Sequence, residues 1–212
     1  MKKSILFTFV LCLLSQWSVA QAPKWVEKAK RSVFSIVTYD KDDKIQNTGN
    51  GFFVTEDGVA LSDYSLFKGA QRAVIINSEG EKMPVECILG ANDMYDIIKF
   101  RVGITVKKVP ALQVAALAPA VGAEVYLLPY STQKGGNVTR GKVKKVDNIG
   151  GDKYHYYTLD MVLKDKMVSC PVTTAEVKCL EWHRSPRDKI LPLSAMRPVR
   201  LSPCLKISVH LR

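Results

Sequence analysis

A single stretch, residues 48–70 (TGNGFFVTEDGVALSDYSLFKGA), limits the folds open to this chain more than any other part of the sequence. Two apolar runs, at 52–54 and 59–61, are separated by the turn residues Glu-Asp-Gly at 56–58. This pattern predicts a β-hairpin. The glycines on either side of Asn50 suit a bulge, or a close backbone approach that a Cβ atom would block. We expect the rest of the chain to be organised around this hairpin.

Short strands separated by turns are also expected elsewhere in the body of the chain. One short helix is predicted at 23–30, and β-branched, aromatic or alternating segments predict strands at 32–39, 73–77, 82–89 and 154–160. No long helical period interrupts them. The 212 residues can hold one medium domain or two small barrels. The pattern predicts an all-β barrel or sandwich.

Two separate motifs resemble the protease domain of trypsin-like serine proteases of the Deg/HtrA type. The hairpin is similar to the family's first catalytic hairpin, which runs G-S-G-F, then D-G, then L-T-N-x-H-V, then G-A. The segment at 90–102, GANDMYDIIKFRV, is similar to the family's strand G-x-D-P-x-T-D-L-A-V-L-K-V. Further segments at 120–129 and 137–146 resemble strands of the family's second barrel. The resemblance covers about 31–176.

The resemblance implies a chymotrypsin/trypsin-like double β-barrel. It places a protease-fold domain at residues 21–176, with barrel 1 at about 31–103 and barrel 2 at about 119–176. Residues 103–118 would link the two barrels, and the second barrel is expected to be truncated.

The catalytic triad implied by the resemblance is degenerate. Asp96 falls on the aspartate position, Ser65 stands where the family has its histidine, and Val168 stands where it has its nucleophilic serine. The two glycines that shape the family's oxyanion hole are replaced by Ser169 and Cys170. Proton transfer, attack and oxyanion binding all depend on these positions. The resemblance therefore implies a protease scaffold without its general base and nucleophile.

Two alternative nucleophiles lie beside the lost one. Ser169 is offset by one residue, and Cys170 would be a stronger nucleophile than serine if a base lowered its pKa. His155 is the one histidine between residues 21 and 176, and it lies in a second-barrel strand. The competing interpretation makes Ser169 a strand end, Cys170 a small buried thiol and His155 a half-exposed strand residue.

The sequence predicts no cofactor, metal or nucleic-acid partner. Cys87 and Cys170 are the cysteines of the mature body, and either one disulfide or two free thiols is compatible with their number. No cysteine pair has zinc spacing.

The net charge of the chain is +11, but most of it lies outside the body of the protein. Residues 1–20 contribute two positive charges and residues 177–212 a net +6, so residues 21–176 carry only +3. A nucleic-acid-binding body would be more basic.

The first 20 residues have the three regions of a secretory signal peptide. Lys2 and Lys3 precede an apolar run at 5–14, and Ser-Val-Ala ends at Ala20, after which cleavage is expected. The run is too short to span a bilayer comfortably, and no later segment is apolar enough to do so. We expect a periplasmic or extracellular protein with no membrane anchor after cleavage.

From Val177 onward the composition changes abruptly. Residues 177–212 hold four prolines and no glycine, and they show neither turn signals nor alternation. If one guanine base is inserted in the gene after the Glu176 codon, the next codons can be re-read as Gly-Glu-Val-Phe-Gly. This is close to the Gly-Glu-Val-Ile-Gly that the resemblance expects there. The tail is predicted to be a disordered product of a frameshift, against the alternative of a divergent tail.

Three functions follow as hypotheses. The first is an inactive homologue that uses its cleft to bind a peptide or an unfolded polypeptide, in an oligomeric state that the sequence leaves open. The second is an endopeptidase of altered mechanism that uses Ser169 or Cys170. The third is a nonfunctional product of a disrupted gene.

Overall fold

The computed structural model describes residues 24–93, 95–115, 119–132, 138–149, 154–162, 167, 169–174, 178–182 and 205–206. The predicted signal peptide, at residues 1–20, lies outside the described residues.

One helix, α1, spans Lys24–Lys30. Thirteen strands follow among the described residues: β1 Val33–Tyr39, β2 Ile45–Phe53, β3 Val59–Asp63, β4 Arg72–Ile76, β5 Lys82–Asn92, β6 Ile97–Val102, β7 Gln113–Val114, β8 Glu124–Leu127, β9 Thr139–Ile149, β10 Tyr154–Leu159, β11 Pro171–Thr174, β12 Lys178–Trp182 and β13 Leu205–Lys206. The predicted all-β class is confirmed.

The first six strands close into a barrel. They follow the order β5-β4-β1-β2-β3-β6, and β5 also pairs with β6 to complete the ring. The predicted hairpin is confirmed, and in it Phe52 pairs with Leu61 and Phe53 with Ala60. A Cβ atom at Gly51 would lie 2.6 Å from the ring of Phe34. The close backbone approach predicted at this glycine is therefore present.

The second sheet is open. Its strands follow the order β10-β9-β8-β11-β12-β7, and no described pairing joins its two ends. All of its pairings are antiparallel except that between β12 and β7, which is parallel. The double-barrel fold with an incomplete second barrel is thus confirmed.

The apolar core consists of three clusters, one of which joins the two halves. One fills the first barrel around Phe34, Phe53 and Phe100, and another fills the second sheet around Leu127 and Val172. The third, which we call the seam, joins both halves and α1. Its buried members are Val26, Ala29, Val33, Phe52, Leu61, Ile97, Leu112, Tyr126 and Leu128.

The helix α1 belongs to the seam because of its spacing of apolar residues. Val26 and Ala29 lie three positions apart, on one helical face, and both are buried. The ring of Trp25 meets the ring of Tyr126 edge to face at a centroid distance of 5.0 Å. The N-terminal helix is thereby fixed against the second sheet as well as the first barrel.

The segment after Val177 differs from the prediction of a disordered tail. The backbone of β12 pairs with β11 through Val172 and Glu181, and with β7 through Cys179 and Val114. A backbone ladder with two neighbouring strands satisfies its peptide groups, which composition alone did not indicate. The short strand β13 pairs with β5 of the first barrel. The other residues of 177–212 lie outside the described residues.

The two body cysteines do not pair with each other. Cys170 is a free thiol, whereas Cys87 is disulfide-bonded. Neither of the two predicted arrangements, one Cys87–Cys170 disulfide or two free thiols, is therefore found. No helix among the described residues is long and apolar enough to cross a membrane.

Candidate functional site

Ser65 and Asp96, two of the predicted triad positions, are in direct contact. Ser65 lies in a single 3-10 turn, Tyr64–Leu66, directly after β3. Its backbone N–H donates to Asp96 Oδ1 at 2.5 Å and its Oγ donates to Asp96 Oδ2 at 3.0 Å. The Asp96 carbonyl accepts from the Tyr64 N–H at 3.0 Å. The resemblance therefore identified a true spatial pair.

The backbone conformation of Asp96 fits its place in a tight turn. Its φ angle is +54°, in the left-handed region that Asp and Asn tolerate better than other side chains with a Cβ. The residue is 6% exposed, while Ser65 is exposed on the surface of the barrel. The carboxylate is thus fixed in place, and its partner Ser65 lies at the surface.

A serine hydroxyl and an imidazole differ as proton acceptors. A general base must accept a proton near neutral pH, and histidine is the side chain whose ordinary pKa permits this. The serine hydroxyl instead donates a hydrogen bond to Asp96. The Ser65–Asp96 pair therefore positions a turn.

The structure brings together a second hydroxyl and carboxylate that the sequence analysis did not connect. Ser169 donates through Oγ to Asp63 Oδ2 at 2.6 Å. Asp63 is 1% exposed and Ser169 is fully buried. Asp63 ends β3 in a run of five buried residues, and a carboxylate in such a run needs polar partners. In the sequence, the signal that would have indicated Asp63 is a carboxylate that closely follows the apolar residues 59–61.

The two pairs lie at the same end of one ladder. The described pairing of β3 with β6 ends where Asp63 faces Ile97. Ser65 follows Asp63 by two positions, and Asp96 directly precedes Ile97. Two hydroxyl–carboxylate hydrogen bonds therefore lie at this end of the β3–β6 ladder.

Cys170 is unsuited to attack a substrate. Its side chain is fully buried in the second-sheet cluster. Burial raises the pKa of the Cys170 thiol well above its ordinary range, the backbone N–H of Tyr130 partly offsets this, and the negative charge of Asp63 raises the pKa further. A thiol is a nucleophile only as the thiolate. The interpretation of Cys170 as a small buried thiol is confirmed.

The remaining predicted site residues are less fully defined. Val168 lies outside the described residues. His155 lies in β10, where its backbone pairs with Asn148, and its side chain is not among those described. Ser169 precedes β11 and is not a strand residue; its φ angle is +63°, a conformation that glycine adopts most readily. This conformation is consistent with a glycine at the corresponding position of the family.

No cofactor or metal site is apparent in the described part of the chain. No group of three or more His, Cys, Asp or Glu side chains there could hold a metal ion. Surface charges instead form isolated pairs, such as Glu56 with Lys108 at 2.6 Å. Hydrogen bonding to Lys108 and its positive charge lower the pKa of Glu56.

Comparison with known proteins defines the family. A search of curated proteins gave no significant match. A family model described as the trypsin-like peptidase domain matches residues 49–176, which include Ser65, Asp96, Val168 and Ser169. The match spans more than half of the chain and agrees with the closed barrel and open second sheet. The chain therefore belongs to the trypsin-like peptidase domain family.

Proposed function

We propose that this protein is a catalytically inactive, Deg/HtrA-type member of its family that binds extended or unfolded polypeptide in the cleft between its barrels. The observation that carries the proposal is the hydrogen bond from Ser65 Oγ to Asp96 Oδ2, at the place of the catalytic imidazole. The scaffold and the aspartate are kept, whereas proton transfer is lost. A cleft shaped for peptides can still bind them, because binding does not require the nucleophile.

Inactivity is tested with casein and a fluorophosphonate probe. We expect casein cleavage at the buffer rate and no covalent labelling, because the triad lacks both its base and its nucleophile. An active trypsin-like protease in the same assay is the positive control. Casein turnover that disappears in Ser169→Ala or Cys170→Ala would establish the enzyme of altered mechanism instead.

Peptide binding is tested by fluorescence anisotropy with labelled, unfolded casein. Ser65 is exposed, so Ser65→Trp would place a bulky ring in the proposed cleft and should weaken binding at least tenfold. Glu79→Trp, at an exposed position of the β4–β5 turn, is the matched control and should bind as the wild type does. Equal affinities for both variants would place binding outside the cleft, and undetectable wild-type binding would contradict the peptide-binding function.

The altered-mechanism enzyme has one observation in its favour. Ser169 and Asp63 form a short hydroxyl–carboxylate pair, in which a carboxylate could accept the hydroxyl proton. Full burial of Ser169 argues against it, because a substrate carbonyl must come within about 3–3.5 Å of the attacking oxygen. Binding without chemistry accounts for the buried pair more simply.

We further propose that residues after Glu176 are read from a shifted frame. The abrupt change in composition supports this. The codons after Glu176 can also be re-read in the neighbouring frame as Gly-Glu-Val-Phe-Gly, close to the G-E-V-I-G that the resemblance expects. Resequencing the gene across the Glu176 codon tests the proposal directly. A confirmed extra or missing base would favour the product of a disrupted gene, while an intact reading frame in independent isolates would establish a divergent tail.

We also propose that the protein is exported from the cytoplasm. The basic, apolar and small-residue regions of residues 1–20 support cleavage after Ala20 and release into the periplasm or the medium. N-terminal sequencing of the protein from its native host should begin at Gln21. Recovery of the chain with Met1 retained would rule out processing of this kind.

A further inference from the structure

The hydrogen bond between Ser169 and Asp63 joins the two halves of the molecule. Asp63 ends β3 of the closed barrel, and Ser169 precedes β11 of the open sheet. The bonded oxygens are 2.6 Å apart, although the two residues are 106 positions apart in sequence. Both side chains are buried. Water therefore cannot readily replace this contact while the protein stays folded.

The bond also stabilises the backbone conformation of Ser169, which is unfavourable for a residue with a Cβ atom. Ser169 has a φ angle of +63°, which costs a residue with a Cβ atom about 1–2 kcal/mol relative to the right-handed region. Hydrogen bonds to a charged acceptor are about twice as strong as those between neutral groups. The Asp63 carboxylate can thus offset the conformational cost at Ser169.

Ser169 and Cys170, the two residues directly before β11, form the segment that this bond holds closed, and Cys170 reports whether it is closed. Cys170 is fully buried, is a free thiol and accepts a hydrogen bond from the backbone N–H of Tyr130. Its reaction with a thiol reagent requires the segment to open first. The rate of that reaction therefore measures local opening at Ser169.

We propose that the Ser169–Asp63 hydrogen bond is a latch between the two barrels, which holds the segment before β11 closed and keeps Cys170 out of solvent. The latch goes beyond the proposed binding function, since it acts whether or not a peptide is bound. Its loss opens the segment locally and exposes the thiol without unfolding the closed barrel.

The test is native-state labelling with iodoacetamide, followed by tryptic digestion and mass spectrometry. The peptide Met167–Lys178 contains Cys170 as its one cysteine, so its labelling is read separately from the other thiols. Ser169→Gly removes the hydroxyl and keeps a residue suited to positive φ. Asp63→Asn changes the acceptor without touching the backbone of the segment. We expect labelling about tenfold faster in Ser169→Gly and a smaller increase in Asp63→Asn, whose amide oxygen can still accept a weaker bond.

Ser65→Ala is the matched control, because it also removes a hydroxyl–carboxylate hydrogen bond, but one confined to the first barrel. Its Cys170 labelling rate should equal that of the wild type. The double variant Ser169→Gly with Asp63→Asn should label no faster than Ser169→Gly alone, since both changes act on the same bond and Ser169→Gly already removes it. Wild-type rates in both single variants, additive effects in the double variant, or an equal increase in Ser65→Ala would each overturn the latch.

Discussion

Ser65 contacts both carboxylate oxygens of Asp96, through its backbone N–H at 2.5 Å and its Oγ at 3.0 Å. The backbone bond does not depend on the identity of residue 65, whereas the second bond requires a side-chain donor. Asp96 thus keeps a backbone partner when the side chain of residue 65 is changed. These contacts hold the turn at Tyr64–Leu66 against Asp96.

Substitutions at this pair should have unequal effects on stability. Ser65→Ala removes one bond and should lower the free energy of unfolding by about 1 kcal/mol. Asp96→Ala removes both bonds and places alanine at positive φ, and should cost about 3 kcal/mol. Asp96→Asn keeps an acceptor oxygen and should fall between them. Urea unfolding measures all three, and equal losses for the two alanine variants would contradict the two-point contact.

The strand β12 should contribute to the stability of the second sheet. A chain ending at Trp182 retains β12, and a chain ending at Val177 lacks it, while both lack β13. We expect the shorter chain to melt at least about 4 °C lower, because β11 loses the backbone ladder on one edge. Both chains are compared under reducing conditions to remove any effect of disulfides. Identical melting temperatures would show that Lys178–Trp182 adds nothing to the fold.

Alanine should be poorly tolerated at Gly51 for lack of space. Its Cβ would lie 2.6 Å from the Phe34 ring, 2.9 Å from Ile36 and 3.0 Å from the Leu61 carbonyl oxygen. We expect Gly51→Ala to lower the free energy of unfolding by about 3 kcal/mol. Phe34→Leu in the same chain should recover part of the loss, because the nearest clash is with that ring.

Gly80→Ala provides the contrasting control. Its Cβ would meet nothing within 4 Å, but the residue has a φ angle of +83°. The expected loss, about 1 kcal/mol, is due to backbone strain alone. Thermal unfolding of the two alanine variants measures the difference, and equal losses would mean that crowding at Gly51 is unimportant.

The Glu56–Lys108 pair should be visible in a pH titration. Lys108 lowers the folded-state pKa of Glu56, so the pair stabilises the fold above the unfolded pKa of Glu56 and loses this contribution as pH falls through the folded pKa. Lys108→Ala should return the pKa of Glu56 toward its ordinary value. Carboxylate chemical shifts in an NMR titration test this, and an unchanged Glu56 midpoint would contradict the interaction. Lys107→Ala, at the neighbouring position, is the control.

Local patterns were sufficient to predict most strands of the closed barrel, because turn residues and alternation act over a few positions. The hairpin around Gly58 and the strand ending at Tyr39 occur where the sequence indicated them. The contact between Ser65 and Asp96 was accessible through resemblance to the family. The strand Lys178–Trp182 was missed because its pairing with β11 and β7 is non-local, and its own residues show no alternation.

The partnership of Ser169 with Asp63 was beyond sequence reasoning for a different reason. The sequence placed Ser169 one residue from the nucleophile position, but its partner depends on how the two barrels dock. The redox state of Cys87 also depends on a distant residue. Non-local contacts of this kind follow from the assembled fold and not from any local pattern.

The position of α1 sets an order of events during folding. All six strands of the closed barrel lie between Val33 and Val102, so this half can form as soon as that length of chain has been synthesised. The seam also needs Tyr126 and Leu128, which are made later. Trp25 and Val26 are among the first described residues to leave the ribosome, yet they must wait for the second sheet before their packing is complete. The earliest helix is therefore expected to be among the last elements to settle.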